Sequence, residues 1–226
     1  LKEKHCWAEI DVDAIRSNYE LIKYTLEKPF YTVVKADAYG HGAKYIAKIY
    51  SEMDTFGFCV SNFSEAMELR NSGITKPILI LGYTEPNKAY ELFKNNLTQN
   101  VFSLEYATAL NANALYPVDC HIKLDTGMSR LGFLCDEAHF DRSVEEIAEA
   151  VALPGLACSG IFTHFACADE ESGEAITRRQ YALFLRAVDL LEQRGVRFEI
   201  RHCCNSAATI RYPEMHLDMV RAGIIL

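Results

Sequence analysis

Short runs of apolar, β-branched and aromatic residues recur along the chain at 31–36, 56–60, 77–81, 100–102, 119–124, 158–163, 198–202 and 217–220, and each reads as a strand. The stretches between them space their apolar residues as helices do. Ile15, Tyr19, Ile22 and Leu26 form one helical face behind Asp13, an expected N-cap. Val144, Ile147, Ala148 and Val151 form a second, broken by Pro154-Gly155. Tyr181, Phe184, Leu185, Val188 and Leu191 form a third, closed by Arg194-Gly195 as a C-cap signal. Strand and helix alternating in this way predict parallel strands joined by crossover helices. Eight strands in 226 residues favour an α/β fold of the (β/α)8 TIM-barrel type, with a doubly wound open sheet as the alternative. Two ends stand apart from that scheme. Residues 6–12 (Cys-Trp-Ala-Glu-Ile-Asp-Val) read as one more strand, and the last strand runs into Ile225-Leu226 with no helix after it. The chain is therefore expected to be part of a larger protein.

Composition narrows the class. Half of the residues are hydrophobic and 24% are charged, which supports one sizeable core and argues against disorder. A net charge of −8 gives no global attraction for nucleic acid or anionic lipid, so any bound phosphate must be held by a few local groups. No apolar run is long enough to span a bilayer, and no signal peptide precedes the first strand-like segment. The eight cysteines (Cys6, Cys59, Cys120, Cys135, Cys158, Cys167, Cys203, Cys204) form no CxxC pair and lie among apolar residues, as small core residues in a reducing compartment do. The expected location is cytoplasmic. The chain opens at Leu1 without a methionine, which is also compatible with the cytoplasmic domain of a membrane protein carrying an upstream segment.

In a (β/α)8 barrel the chemistry lies at the C-terminal ends of the strands. There the first strand reaches Lys35 and then Tyr39, the third Leu81, the fifth Arg130, the sixth His164, the seventh Asn205-Ser206 and the eighth Arg221 with Gly223. Lys35 follows two valines, a low-dielectric setting that favours the free amine a Schiff base needs, against the alternative of a lysine that simply reaches solvent. Asn205-Ser206 opens a helix and serves either as an anion site or as a plain N-cap. Gly223 either admits a phosphate to the backbone or makes a turn, and His164 either stacks on a ligand ring or satisfies a core hydrogen bond. Gathered on one rim, these residues point to a phosphorylated aldehyde cofactor held covalently by Lys35.

The segment Val33-Val34-Lys35-Ala36-Asp37-Ala38-Tyr39-Gly40-His41-Gly42 resembles the pyridoxal-phosphate lysine motif of bacterial alanine racemases. Residues 123–132 (Lys-Leu-Asp-Thr-Gly-Met-Ser-Arg-Leu-Gly), Thr163-His164-Phe165-Ala166, Asn205-Ser206-Ala207 and 220–224 (Val-Arg-Ala-Gly-Ile) resemble further family segments in the family's order, as does Trp7-Ala8-Glu9-Ile10-Asp11. The resemblance covers essentially the whole chain. It implies a pyridoxal 5'-phosphate barrel over residues 11–226, and it assigns residues 1–10 to the sheet of a C-terminal β domain that this chain lacks. The implied reaction is interconversion of L- and D-alanine, or of L- and D-serine as in the serine racemases linked to glycopeptide resistance, supplying D-amino acid for cell-wall precursors. Lys35 would carry the cofactor as an internal aldimine and act as one of two bases at Cα. Tyr39, Asn205, Ser206, Gly223 and Ile224 would surround the phosphate, and Leu81 and His164 would line the ring. Arg221 would face the pyridine nitrogen and keep it unprotonated, since a guanidinium neither accepts nor releases a proton. Arg130 would approach the phenolic oxygen and orient substrate, and Lys123 matches the family lysine often found carboxylated, a carbamate that would pair with Arg130. The resemblance also implies a homodimer in which a tyrosine of the partner's β domain supplies the second base. The vicinal cysteines before Asn205 depart from the family pattern. Two other readings stay open: a pyridoxal-phosphate-binding barrel without racemase activity, and a metal-dependent hydrolase using His121, Asp125, His164 and His202.

Overall fold

The computed structural model describes residues 6–26 and 28–226. Its elements alternate in the order α1 (Val12–Thr25), β1 (Phe30–Val33), α2 (Lys35–Tyr39), α3 (Ala43–Glu52), β2 (Gly57–Val60), α4 (Phe63–Asn71), β3 (Ile78–Ile80), α5 (Ala89–Lys94), β4 (Leu97–Val101), α6 (Leu104–Asn113), β5 (Val118–Asp125), β6 (Phe133–Leu134), α7 (Phe140–Val151), β7 (Leu156–Phe162), α8 (Glu174–Gln193), β8 (Ile200–His202), α9 (Ser206–Arg211) and β9 (Val220–Ala222). All strand pairs are parallel, and the order β8-β7-β5-β4-β3-β2-β1-β9 follows the chain apart from β9, which lies beside β1. Between β8 and β9 the seam is drawn together by Asp218 N–H donating to Arg201 O at 3.2 Å and Arg221 N–H donating to Cys204 O at 3.1 Å. The sheet is thus a nearly closed eight-stranded barrel, with β6 as a short extra strand on β5. A doubly wound sheet would reverse its strand order midway; this one does not.

Strand side chains alternate between two faces, and that period divides the core. Outward residues such as Phe58, Ile78, Ile80, Val101, Ile122 and Ile161 pack beneath the helices in the main cluster. Tyr31, Val33, Cys59, Leu79 and Met219 form a small separate plug inside the barrel. No helix among the described residues is long and apolar enough to cross a membrane.

β1 stops at Val33 and β4 begins at Leu97, against the strands expected over 31–36 and 100–102, and three further boundaries differ from expectation. Asp11, not Asp13, caps α1, its carboxylate accepting Ala14 N–H at 3.0 Å, while Asp13 sits in the first turn. Residues 6–11 form no strand: they pair with no edge of this sheet, and Trp7 is exposed. Residues 1–5 of the segment expected to belong to another sheet lie outside the described residues. The last strand begins at Val220 because Leu217 turns with φ 53° and Asp218 is taken up by the Arg201 backbone and guanidinium, at 2.9 and 2.8 Å.

Candidate active site

The barrel's inward parity runs past each strand end onto the rim. Val33 leads to Lys35, Cys59 to Ser61, Leu79 to Leu81, His121 to Lys123 and Asp125, Gly160 and Phe162 to His164, and Arg221 to Gly223. Above the inner plug they border a cavity of about 270 Å3, whose lining includes Lys35, Tyr39, Leu81, Lys123, Arg130, His164, Asn205, Ser206, Arg221 and Gly223. Four of these side chains are cationic, and among the described residues no carboxylate lines the cavity. Of the site residues expected from sequence, Ile224 alone stands apart: it borders a separate small crevice behind Tyr39, and its side chain is 69% exposed.

Lys35 opens α2, a turn in which Ala36, Asp37, Ala38 and Tyr39 have φ of 51°, 54°, 53° and 55°. A left-handed turn of non-glycine residues costs about 1–2 kcal/mol per residue, so its surroundings must hold it. Ala36 N–H donates to Glu65 Oε1 at 3.0 Å, and Ser61 N–H donates to Glu65 Oε2 at 2.7 Å. Ala43 N–H donates to Asp37 Oδ1 at 2.7 Å, closing the far side. The reversed turn brings the Tyr39 ring back into the cavity. A Cβ built on Gly223 would lie 2.6 Å from the Tyr39 hydroxyl and 3.0 Å from Val33 Cβ, so glycine makes room for that ring. Gly223 N–H donates to Ser206 Oγ at 3.0 Å, and Asn205 caps α9 by accepting Ala208 N–H at 3.0 Å.

Arg130 is delivered by a loop wound around one carboxylate. Asp125 Oδ1 accepts the N–H groups of Gly127, Met128 and Ser129 at 3.0, 2.9 and 3.0 Å, and Oδ2 accepts Arg130 N–H at 3.1 Å. Arg221 is buried without a carboxylate partner among the described residues. Its Nη1 donates to His202 Nδ1 at 2.7 Å, and its Nη2 donates to the carbonyls of Thr163 and Cys203 at 2.9 and 3.1 Å. A guanidinium has no acceptor, so His202 Nδ1 is bare and its Nε2 carries the proton donated to His121 Nδ1 at 3.0 Å. Burial, then the Arg221 charge, lowers His121 to about 3 and His164 to about 2, and burial holds His202 well below its ordinary value. All three rings are neutral near pH 7. Lys123 is pulled down to about 8, by burial first and then by Arg130 and Arg221.

The four groups of the hydrolase alternative do not make a ligand set. The Asp125 carboxylate is filled by four backbone donors, and His202 is bonded to His121 through one ring nitrogen and to Arg221 through the other. Sequence reasoning did not single out Ser61, Gly82, Leu131 or Phe162, which also line the cavity. Counting two residues on from Cys59 along the same strand face would have found Ser61.

Fold and site together define a (β/α)8 barrel with a cation-lined cavity at the C-terminal ends of its strands, beside the amine of Lys35. The chain belongs to the family of alanine racemase N-terminal domains, whose profile matches residues 10–226. It is 41% identical over 225 residues to the alanine racemase of Desulforamulus reducens, covering 97% of this chain and 60% of that protein. It is 44% identical to the alanine racemase of Desulfovibrio desulfuricans, covering 99% and 60%. The structure of Clostridium difficile alanine racemase in complex with cycloserine superposes with a TM-score of 0.91 at 42% identity, covering 97% of this chain and 60% of that one. The chain therefore spans about three fifths of the relatives it matches.

Proposed function

We propose that the chain is the cofactor-binding part of a pyridoxal-phosphate-dependent alanine racemase, working as a cytoplasmic homodimer. The observation that carries this reading is the rim cavity itself: Lys35 inside a pocket whose other charged groups, Lys123, Arg130 and Arg221, are all cations. A buried cation without a carboxylate is stabilised by an anionic ligand, and pyridoxal phosphate brings both a phosphate and a phenolate. The space a side chain on Gly223 would fill is taken by the Tyr39 hydroxyl, which stands on the cavity wall with the Ser206 hydroxyl. The residues present thus fit the cofactor. Tyr39, Asn205, Ser206 and the backbone of Gly223 and Ile224 would hold its phosphate, Leu81 and His164 its ring, and Arg221 its ring nitrogen.

Bound pyridoxal phosphate draws electron density from the Cα–H bond of an amino acid and so acidifies it. The chain's own groups do the rest. Lys35 Nζ anchors the cofactor and then takes up or returns the Cα proton on its face. Arg221 is held by His202 and two carbonyls, exchanges no proton, and limits charge withdrawal into the ring. Arg130 orients the substrate carboxylate. Lys123, lowered to about 8, reaches the free amine more readily than an ordinary lysine, and that amine adds to carbon dioxide and releases a proton to solvent, giving a carbamate that pairs with Arg130. The base on the opposite face comes from the region of the relatives that this chain does not span, carried by a partner's β domain. The relatives' names favour alanine over serine as the substrate.

The test is the visible spectrum with pyridoxal phosphate before and after borohydride, with peptide mapping. A band that borohydride fixes on Lys35, absent in Lys35→Ala, is expected. Label spread over surface lysines would overturn the reading. Carbon-13 nuclear magnetic resonance of the same sample in labelled bicarbonate reads the carbamate, as a signal lost in Lys123→Ala.

A further inference from the structure

Behind the rim, Gln180 of α8 reaches two loops that carry site residues on neighbouring strands. Its side chain is buried, 1% exposed, although it lies on a helix whose ion-pairing arginines face solvent. Its Oε1 accepts Ala166 N–H at 3.0 Å, and its Nε2 donates to His164 O at 3.2 Å and to Thr126 Oγ1 at 3.4 Å. The two backbone partners fix which end of the amide is oxygen, because an N–H needs an acceptor and a carbonyl needs a donor. Both amide hydrogens and one oxygen lone pair are thereby used. Thr126 adds a second link, its hydroxyl 2.8 Å from that of Thr163, which bonds Leu124 O at 3.1 Å. The Gln180 stem lies behind Gly127, 3.7 Å from where a Cβ would stand.

We propose that Gln180 is a positioning residue that sets the distance between the loop delivering Arg130 and the loop delivering His164. Asp125 winds the Arg130 loop internally, but its four bonds all stay within residues 125–130 and do not locate that loop against β7. Gln180 supplies that cross-link from outside the barrel. Among the described residues, Lys35, which opens α2 just past β1, has no hydrogen bond to this network. The proposal rests on the racemase reading only for what Arg130 and His164 do.

The test uses the full-length enzyme with Gln180→Met, which keeps length and most of the volume without the three bonds, and Gln180→Glu, which keeps the acceptor for Ala166 but loses both donors. Misplacement of site groups by a fraction of an ångström to an ångström costs about tenfold to a hundredfold in rate. Gln180→Met is expected to lower kcat about tenfold or more, with borohydride labelling still confined to Lys35, and Gln180→Glu is expected to fall between. Amide hydrogen exchange, measured without substrate, should speed up at Ala166 and over residues 127–130 and stay unchanged along α1 and β1. Unchanged kcat and exchange in Gln180→Met would overturn the proposal, and so would faster exchange spread evenly over the barrel, which marks a general packing role. A parent enzyme that is not labelled at Lys35 would overturn the racemase reading instead, and the exchange measurement would still decide the cross-link.

Discussion

Gly223 has no side chain where Tyr39 places its hydroxyl, and its φ is not in the left-handed region, so space alone decides what can stand there. An alanine would displace the phenol or Val33, an overpacking that typically costs about 1–3 kcal/mol. Gly223→Ala is therefore expected to weaken pyridoxal phosphate binding about tenfold or more, read by titrating the visible band; affinity within twofold of the parent would mean that Tyr39 yields freely and plays no part in holding the phosphate. The residues of this pocket were legible from sequence to the extent that they lie near or just past the C-terminal end of a strand. Lys35, His164 and Arg221 each follow an apolar run, and the strand period then dictates which of them face inward. The protonation of the site was not legible. His121 and His202 are far apart in sequence and present themselves as two more potential ligands. Only closure of the barrel brings them together with Arg221, whose lack of an acceptor fixes the tautomer of both.

The turn α2 carries the same lesson at the scale of an element. Its sequence, Lys-Ala-Asp-Ala-Tyr, has good helix formers and no glycine, and nothing local announces a left-handed course. The conformation is set by contacts distant in sequence, above all the Glu65 carboxylate, which takes one N–H from each of two strand ends. In Glu65→Gln one oxygen becomes an amide that confronts a backbone donor, so one bond is lost and two donors oppose each other. The expected result is a loss of roughly 1–3 kcal/mol in urea unfolding, together with slower labelling of Lys35 by pyridoxal phosphate and borohydride. A stability loss with an unchanged labelling rate would show that Glu65 supports the barrel without presenting Lys35. Elements with their own periodic signal fared better. The faces of α7 and α8 stand where apolar spacing puts them, and Gly195 ends α8 with φ 83°. Missed boundaries fall where a side chain competes with the ladder, as Asp218 does at the start of β9.

For the whole molecule, eight strands followed from counting alternations, but closure depends on the seam between β8 and β9. Burial of three neutral histidines beside Arg221 in that barrel has a consequence for acid stability. The folded-state affinities of His121 and His164 for a proton, at about 3 and 2, lie far below the value near 6.5 of an unfolded chain, and that of His202 is lowered as well. The unfolded state therefore binds more protons than the folded state once the pH drops below about 6.5, and stability must fall with it. Near pH 5 the loss is on the order of 2 kcal/mol for each of His121 and His164. Urea midpoints measured at pH 7, 6 and 5 should decline steadily. His121→Gln, which cannot take up a proton, should give a shallower decline from a lower starting point, because the bond from His202 would then meet an amide. A flat profile between pH 7 and 5 would require the histidines to be protonated in the folded barrel. Protonated His202 would confront the Arg221 guanidinium with a second donor at 2.7 Å, an arrangement the seam could not hold.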